Sequence, residues 1–335
     1  MNPLLSPAKM SCKIALSLPH LGCFLFLSQF FPQPLTARES TIEVFILAGQ
    51  SNMEGAGQVK ANPKQNGGKG SLEYLVKDAK TAKQFQHTVD QTGKWIIRKD
   101  VHINYLGRTG GLSVGYGARP NQIGPEFQFG HVVGDALTNE VLLIKTAWGG
   151  KSLAVDFRPP SSGGTVGPYY QKMIEQIKSV LKNGPNDLPG YRGQKVHFAG
   201  FVWHQGWNDG LKKEWVGQYE ANLINLIKDL RVELKTPHLP VTIAVSGFGG
   251  RNQKIDRRLG IIEAQFNVAQ HALFAGSVAT VETRDFFRPA AESPSRQGYH
   301  WNSNAETYFL IGEALGNAMV QLIQTPADPS TGKRP

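Results

Sequence analysis

Phe45-Ile46-Leu47-Ala48-Gly49-Gln50-Ser51-Asn52-Met53 is an apolar run that breaks off at a glycine and then sets a serine between two amides. A buried strand that stops at a glycine and delivers a hydroxyl is how an α/β hydrolytic enzyme presents a nucleophile. Gly49 permits the sharp turn because it has no Cβ to clash. A helix starting near Asn52 would aim free N–H groups at the serine and favour negative charge there. Taken alone, Gly-Gln-Ser after a strand reads equally well as an ordinary loop, so Ser51 needs partners elsewhere in the chain.

Outward from this stretch, continuous apolar runs at 42–48, 141–146, 196–203, 241–245 and 277–281 read as strands covered on both faces. Amphipathic stretches separate most of them. The stretch 169–182 sets Ile174, Ile177 and Leu181 on one face, and 219–234 does the same with Leu223, Ile227, Leu230 and Leu234. Further helices are expected at 259–275 and 305–323, the last opened by a Ser303-x-x-Glu306 capping box. Alternating strands and helices predict a three-layer α/β/α sandwich with a central parallel sheet. In such sheets the site lies beyond the C-terminal strand ends. Residues 54–123 break the rhythm. They are rich in Gly, Lys and Gln, with short strands expected at 94–98 and 101–105, and read as an elaborated insertion over the site.

The 335-residue chain is 40% apolar and carries a formal net charge of +10. Its Lys and Arg residues are scattered, so the charge reads as solvated surface and no nucleic-acid partner is expected. Residues 1–37 read as a signal peptide: Lys9 and Lys13 precede an apolar stretch, and Ala37 suits cleavage. Pro19 and His20 interrupt that stretch, so no stable membrane insertion is expected after cleavage. Both cysteines, Cys12 and Cys23, lie within residues 1–37, which leaves the expected mature chain without a disulfide. An exported protein of that kind suits a bacterial periplasm or extracellular space. The expected domain is 38–324, and the Pro- and Lys-rich tail 325–335 reads as disordered.

A serine nucleophile needs a base and donors for the oxyanion. His300 stands apart from the other histidines because Gln297-Gly298-Tyr299-His300-Trp301-Asn302 is a loop just before the last helix. His131 and His271 fall in helical patterns and His197 within a strand; His87, His102 and His238 lie in loops without polar company. A second block, His204-Gln205-Gly206-Trp207-Asn208-Asp209, packs amides and an acid at a strand end. A third, Trp148-Gly149-Gly150, ends a strand in glycines that let a backbone N–H approach a substrate. No spacing of His, Cys or acids suggests a metal, and no cofactor is expected.

Together these blocks resemble SGNH esterases in their sialate O-acetylesterase and carbohydrate esterase family 6 branch, which includes acetylxylan esterase-like enzymes. Gly49-Gln50-Ser51-Asn52-Met53, Gly124-Pro125-Glu126, Trp148-Gly149-Gly150, His204-Gln205-Gly206 and the His300 loop follow in that branch's order across residues 42–323. The resemblance implies an SGNH/flavodoxin-like fold and hydrolysis of O-acetyl groups on carbohydrate. It implies Ser51 as nucleophile, His300 as base, and an oxyanion hole from the Ser51 N–H, the Gly150 N–H and Gln205, with Asn208 the alternative donor. The usual acidic positions hold Gln297 and Trp207 instead, so the acid that orients His300 is open between Asp209, the preferred choice, and Asp285. The missing acids keep a second function in play: a catalytically weak carbohydrate-binding protein on the same fold. Trp95, Trp148 and Trp207 are candidate sugar platforms, or core.

Overall fold

The apolar runs become strands buried on both faces. A computed structural model of the chain describes residues 41–183 and 193–325. Its main sheet comprises β1 (Thr41–Gly49), β2 (Val101–Tyr105), β3 (Arg108–Gly111), β4 (Glu140–Ala147), β5 (Lys195–His204), β6 (Val241–Ala244) and β7 (Val278–Val281). The spatial order is β3-β2-β4-β1-β5-β6-β7. Every neighbouring pair is parallel except the β2–β3 hairpin, so the sheet is mixed at one edge.

Helices α1 (Glu126–Ala136), α2 (Pro168–Asn183), α3 (Lys213–Glu233), α4 (Asp256–Gln270) and α5 (Ala305–Gln324) cover its faces. Successive side chains of a strand point to opposite faces. Val44, Ile46 and Ala48 of β1 therefore pack with α2, α3 and α4, while Phe45 and Leu47 pack with α1 and α5. That is the expected α/β/α sandwich.

The insertion departs from expectation in two ways. It supplies β2 and β3 to the main sheet, so it is more than a cover. Residues 94–98 form no strand and leave only an isolated bridge between Val89 and Trp95; β3 already occupies the edge beside β2. The rest of the insertion is held by a third apolar cluster, in which Leu72, Leu75, Phe85 and Ile123 pack on Phe127 of α1 and Phe309 of α5.

The expected capping box is not formed. Asn304 caps α5, its side chain accepting from the Thr307 N–H. Ser303 has a φ of +57°, outside the extended conformation of an N-cap, and Glu306 pairs with Arg288 instead. The expected leader, 1–37, and the tail beyond Thr325 lie outside the described residues. No helix among the described residues is long and apolar enough to cross a membrane.

Candidate active site

β1 lies between β4 and β5, where the strand order reverses, and the crevice beyond such a point is where open α/β sheets bind ligands. Ser51, Gly149-Gly150 and the 204–209 segment leave the C-terminal ends of these three strands. The strand ends touch. Gly49 has a φ of +152°, and a Cβ there would stand 2.1 Å from the His204 carbonyl oxygen. Only glycine fits. Gln50, almost fully buried, ties the ends together. Its Oε1 accepts from the Gly206 and Asn208 N–H groups and from Gln205 Nε2, and its Nε2 donates to Asn208 Oδ1.

Ser51 and His300 line one cavity of about 390 Å³, along with Glu54, Arg119 and Tyr299. Burial lowers the pKa of His300 below its ordinary value, which keeps the ring neutral and able to take a proton at pH 7. The backbone that carries it is unusual: Trp301, Asn302 and Ser303 are all left-handed, with φ of +50°, +54° and +57°. Such residues cost roughly 1–3 kcal/mol each and persist only where the surroundings hold them. Here Trp301 is fully buried, Asn302 Nδ2 donates to the Arg288 carbonyl, and the Gln297 carbonyl accepts from both His300 N and Asn302 N.

A strap joins this loop to the serine turn. Asn52 Nδ2 donates to the Tyr299 carbonyl at 3.1 Å, and the Tyr308 hydroxyl reaches Asn52 Oδ1 at 3.0 Å and the His300 carbonyl at 3.3 Å. Both side chains are buried. Nothing in the local sequence marks Asn52 or Tyr308 for this task.

Neither candidate acid is hydrogen-bonded to His300. Asp209 is fully buried, and its carboxylate accepts from the Leu153 N–H (2.8 Å), the Ala154 N–H (2.8 Å) and Gln205 Nε2 (2.6 Å). Burial pushes its pKa up to about 6 against the pull of these donors, so it is ionised at neutral pH. It anchors the loop that follows Gly150. Asp285 is exposed and gives both oxygens to Arg251, each at 2.8 Å. Gln205 is committed too: its Nε2 faces Gln50, the Lys151 carbonyl and Asp209. Two N–H bonds cannot serve three acceptors and an oxyanion as well.

Three donors at these strand ends stay uncommitted. The Ser51 and Gly150 N–H groups have no partner among the described residues. Asn208 Nδ2 spends one hydrogen on the Gly150 carbonyl at 2.7 Å and keeps the other. Gly150, at a φ of +71°, is in the left-handed region that favours glycine.

Charged residues absent from the sequence reading complete the frame. Lys145, in the middle of β4, is fully buried and donates to Glu126 Oε2 and to the Glu54 and Tyr116 carbonyls. It clamps both ends of the insertion to the sheet, which gives Glu126 of the Gly124-Pro125-Glu126 block a structural task. A lysine inside an apolar run was the available signal, because such a charge must be paired. Glu54 accepts from the Tyr105 hydroxyl and the Gly149 N–H; burial is the largest influence and raises its pKa. None of the three tryptophans lines the cavity. Trp207 is linked to it through Tyr299, its ring 5.4 Å from that of Tyr299, which lies 4.5 Å from His300. Among the described residues no group of three His, Cys, Asp or Glu side chains is placed to hold a metal ion.

The model of the carbohydrate esterase, sialic acid-specific acetylesterase family matches residues 41–321. The chain belongs to this family. A protein of Arabidopsis thaliana named as a probable carbohydrate esterase is 24% identical over 230 residues, covering 65% of this chain and 75% of its own length. A solved Arabidopsis thaliana structure matches with a TM-score of 0.53 at 18% identity, over 83% of this chain and 97% of that one. A carbohydrate acetylesterase from Xanthomonas citri matches with a TM-score of 0.50 at 14% identity, over 85% of this chain and 57% of that one. At these identities the structures speak for the shared fold. In this member of the family Ser51 and His300 line one and the same cavity.

Proposed function

We propose that this chain is a serine O-acetylesterase acting on carbohydrate by a two-step acyl transfer. His300 takes the Ser51 proton as the Ser51 oxygen attacks the ester carbonyl. The Ser51 and Gly150 N–H groups and Asn208 Nδ2 receive the oxyanion, and Asn208 takes the role first expected of Gln205. The sugar hydroxyl leaves with the proton from His300. Water, deprotonated by His300, then attacks the acetyl-serine carbonyl; the bond to the Ser51 oxygen breaks, His300 returns the proton to that oxygen, and acetate leaves. Asp209 and Asp285 have no part in orienting the base, and the left-handed 301–303 turn with the Asn52–Tyr308 strap positions it instead.

The observation that carries this reading is that Ser51 and His300 line one cavity at the switch point of a carbohydrate esterase family fold, with the uncommitted donors of Gly150 and Asn208 on the neighbouring strand ends. The test is hydrolysis of 4-nitrophenyl acetate, acetylated xylan and O-acetylated sialic acids by the wild type and by Ser51→Ala. Full activity in pure Ser51→Ala protein removes the nucleophile assignment. The second reading, a carbohydrate-binding protein with little catalysis, is favoured by the commitment of both candidate acids elsewhere; it predicts sugar binding without turnover. We also place the protein outside the cytoplasm, on the leader pattern of residues 1–37.

A further inference from the structure

The cavity at Ser51 does not end at His300. A second hollow of about 480 Å³, lined by Lys64, Asn66 and Arg296, shares Gln65, Pro294, Ser295 and Gln297 with the first, so the two form one cleft. Its walls carry side chains with nothing to bind within the protein. Arg119 in the first hollow and Lys64 and Arg296 in the second are exposed, and none makes a side-chain hydrogen bond or ion pair among the described residues. The amides of Gln58, Gln65, Gln122 and Gln297 are equally uncommitted. Glu54, the carboxylate of the cleft, is taken by Tyr105 and Gly149. Arginines that do not line the cleft are paired elsewhere: Arg288 with Glu306, Arg284 with Glu282 and Arg251 with Asp285.

Uncommitted amides suit sugar hydroxyls, since each offers both donors and acceptors. An unpaired guanidinium is a planar fork for a carboxylate or sulfate. Cations in a cleft without competing acids also concentrate an anionic polymer there. We propose that the cleft takes an acidic glycan chain. In it the O-acetylated sugar sits at Ser51, and a neighbouring sugar places a carboxylate or sulfate ester against Lys64 and Arg296. This rests on the esterase reading and names the substrate class for the same site.

The test compares kcat/KM of the wild type on acetylated polygalacturonate, an acetylated sulfated galactan and acetylated xylan bearing no acid groups, with 4-nitrophenyl acetate as the probe of the chemistry itself. An acidic polymer is expected to be preferred about tenfold over the neutral one at low salt, the product of a few exposed charge contacts. That preference should collapse at roughly 0.5 M salt. The more active of the two acidic polymers identifies the anion. Lys64→Gln with Arg296→Gln should abolish the preference, and Lys64→Arg with Arg296→Lys should keep it. Turnover of 4-nitrophenyl acetate with equal rates on neutral and acidic polymers overturns the proposal and leaves the esterase reading standing. Failure to hydrolyse any of the four overturns the esterase reading instead. Calorimetric titration with polygalacturonate and the sulfated galactan then decides the charge recognition: binding that Lys64→Gln with Arg296→Gln weakens about tenfold supports it, and no binding overturns it.

Discussion

Replacing Asp209 separates two roles that a buried acid beside an active site can have. In Asp209→Ala the Leu153 and Ala154 N–H groups lose their acceptor together, and Gln205 Nε2 loses its shortest bond while keeping Gln50 Oε1 and the Lys151 carbonyl. Each buried donor left unsatisfied costs roughly 1–3 kcal/mol, and relaxation with water entry lowers the sum, so the loss is about 4 kcal/mol. For a domain of this size that corresponds to a fall in Tm of about 10 °C. Asp209→Asn keeps the shape and one acceptor oxygen, so about half the effect is expected. Calorimetry or circular dichroism melts measure the first quantity, and 4-nitrophenyl acetate turnover well below the Tm measures the second. Activity should fall moderately, because the segment after Gly150 loses its anchor while His300 is untouched. An acid that orients the base would behave otherwise, with Tm unchanged and kcat lower by about 10⁴. That outcome in Asp209→Asn would refute the anchoring argument and restore a triad.

His300→Ala should abolish esterase activity as thoroughly as Ser51→Ala, by about 10³ or more, because the two act as a unit; each protein should still melt cooperatively. With burial lowering the pKa of His300 and no acid bonded to it, the acidic limb of kcat/KM should lie below pH 6.5; neutral base is lost as pH falls through that pKa, and a limb above 7 would reveal a carboxylate partner. Tyr308→Phe removes the hydroxyl that reaches both Asn52 and the His300 carbonyl; stability should drop about 1–2 kcal/mol, and kcat should fall more than KM rises. Expressed with its own leader in a bacterial host, the protein should be found outside the cytoplasm with a new N-terminus near residue 38, and mass spectrometry showing Met1 retained in the exported product would contradict the signal reading.

The layered fold was legible in the chain because its causes are local and periodic. A strand buried on both faces must be apolar throughout, as 42–48 and 141–146 are, and a helix packed on one face must repeat its apolar residues every three or four positions, as Leu223, Ile227 and Leu230 do. That Ser51 and His300 share a cavity was foreshadowed for a related reason: each stands at an element boundary, Ser51 just after β1 and His300 just before α5. What only the tertiary structure decided was the distribution of hydrogen bonds among buried polar groups. Asp209, Gln205 and Asn208 lie within one short segment and look interchangeable in sequence. Yet the approach of the Leu153 and Ala154 N–H groups commits the first, Gln50 and Asp209 commit the second, and only the third keeps a hydrogen uncommitted. Lys145 found its acid in Glu126 and the His300 loop found its strap in Asn52 and Tyr308 by the same route. A buried polar group must be satisfied by whatever folding brings within about 3 Å, and that neighbour is set by the packing of distant segments, on which local sequence pattern is silent.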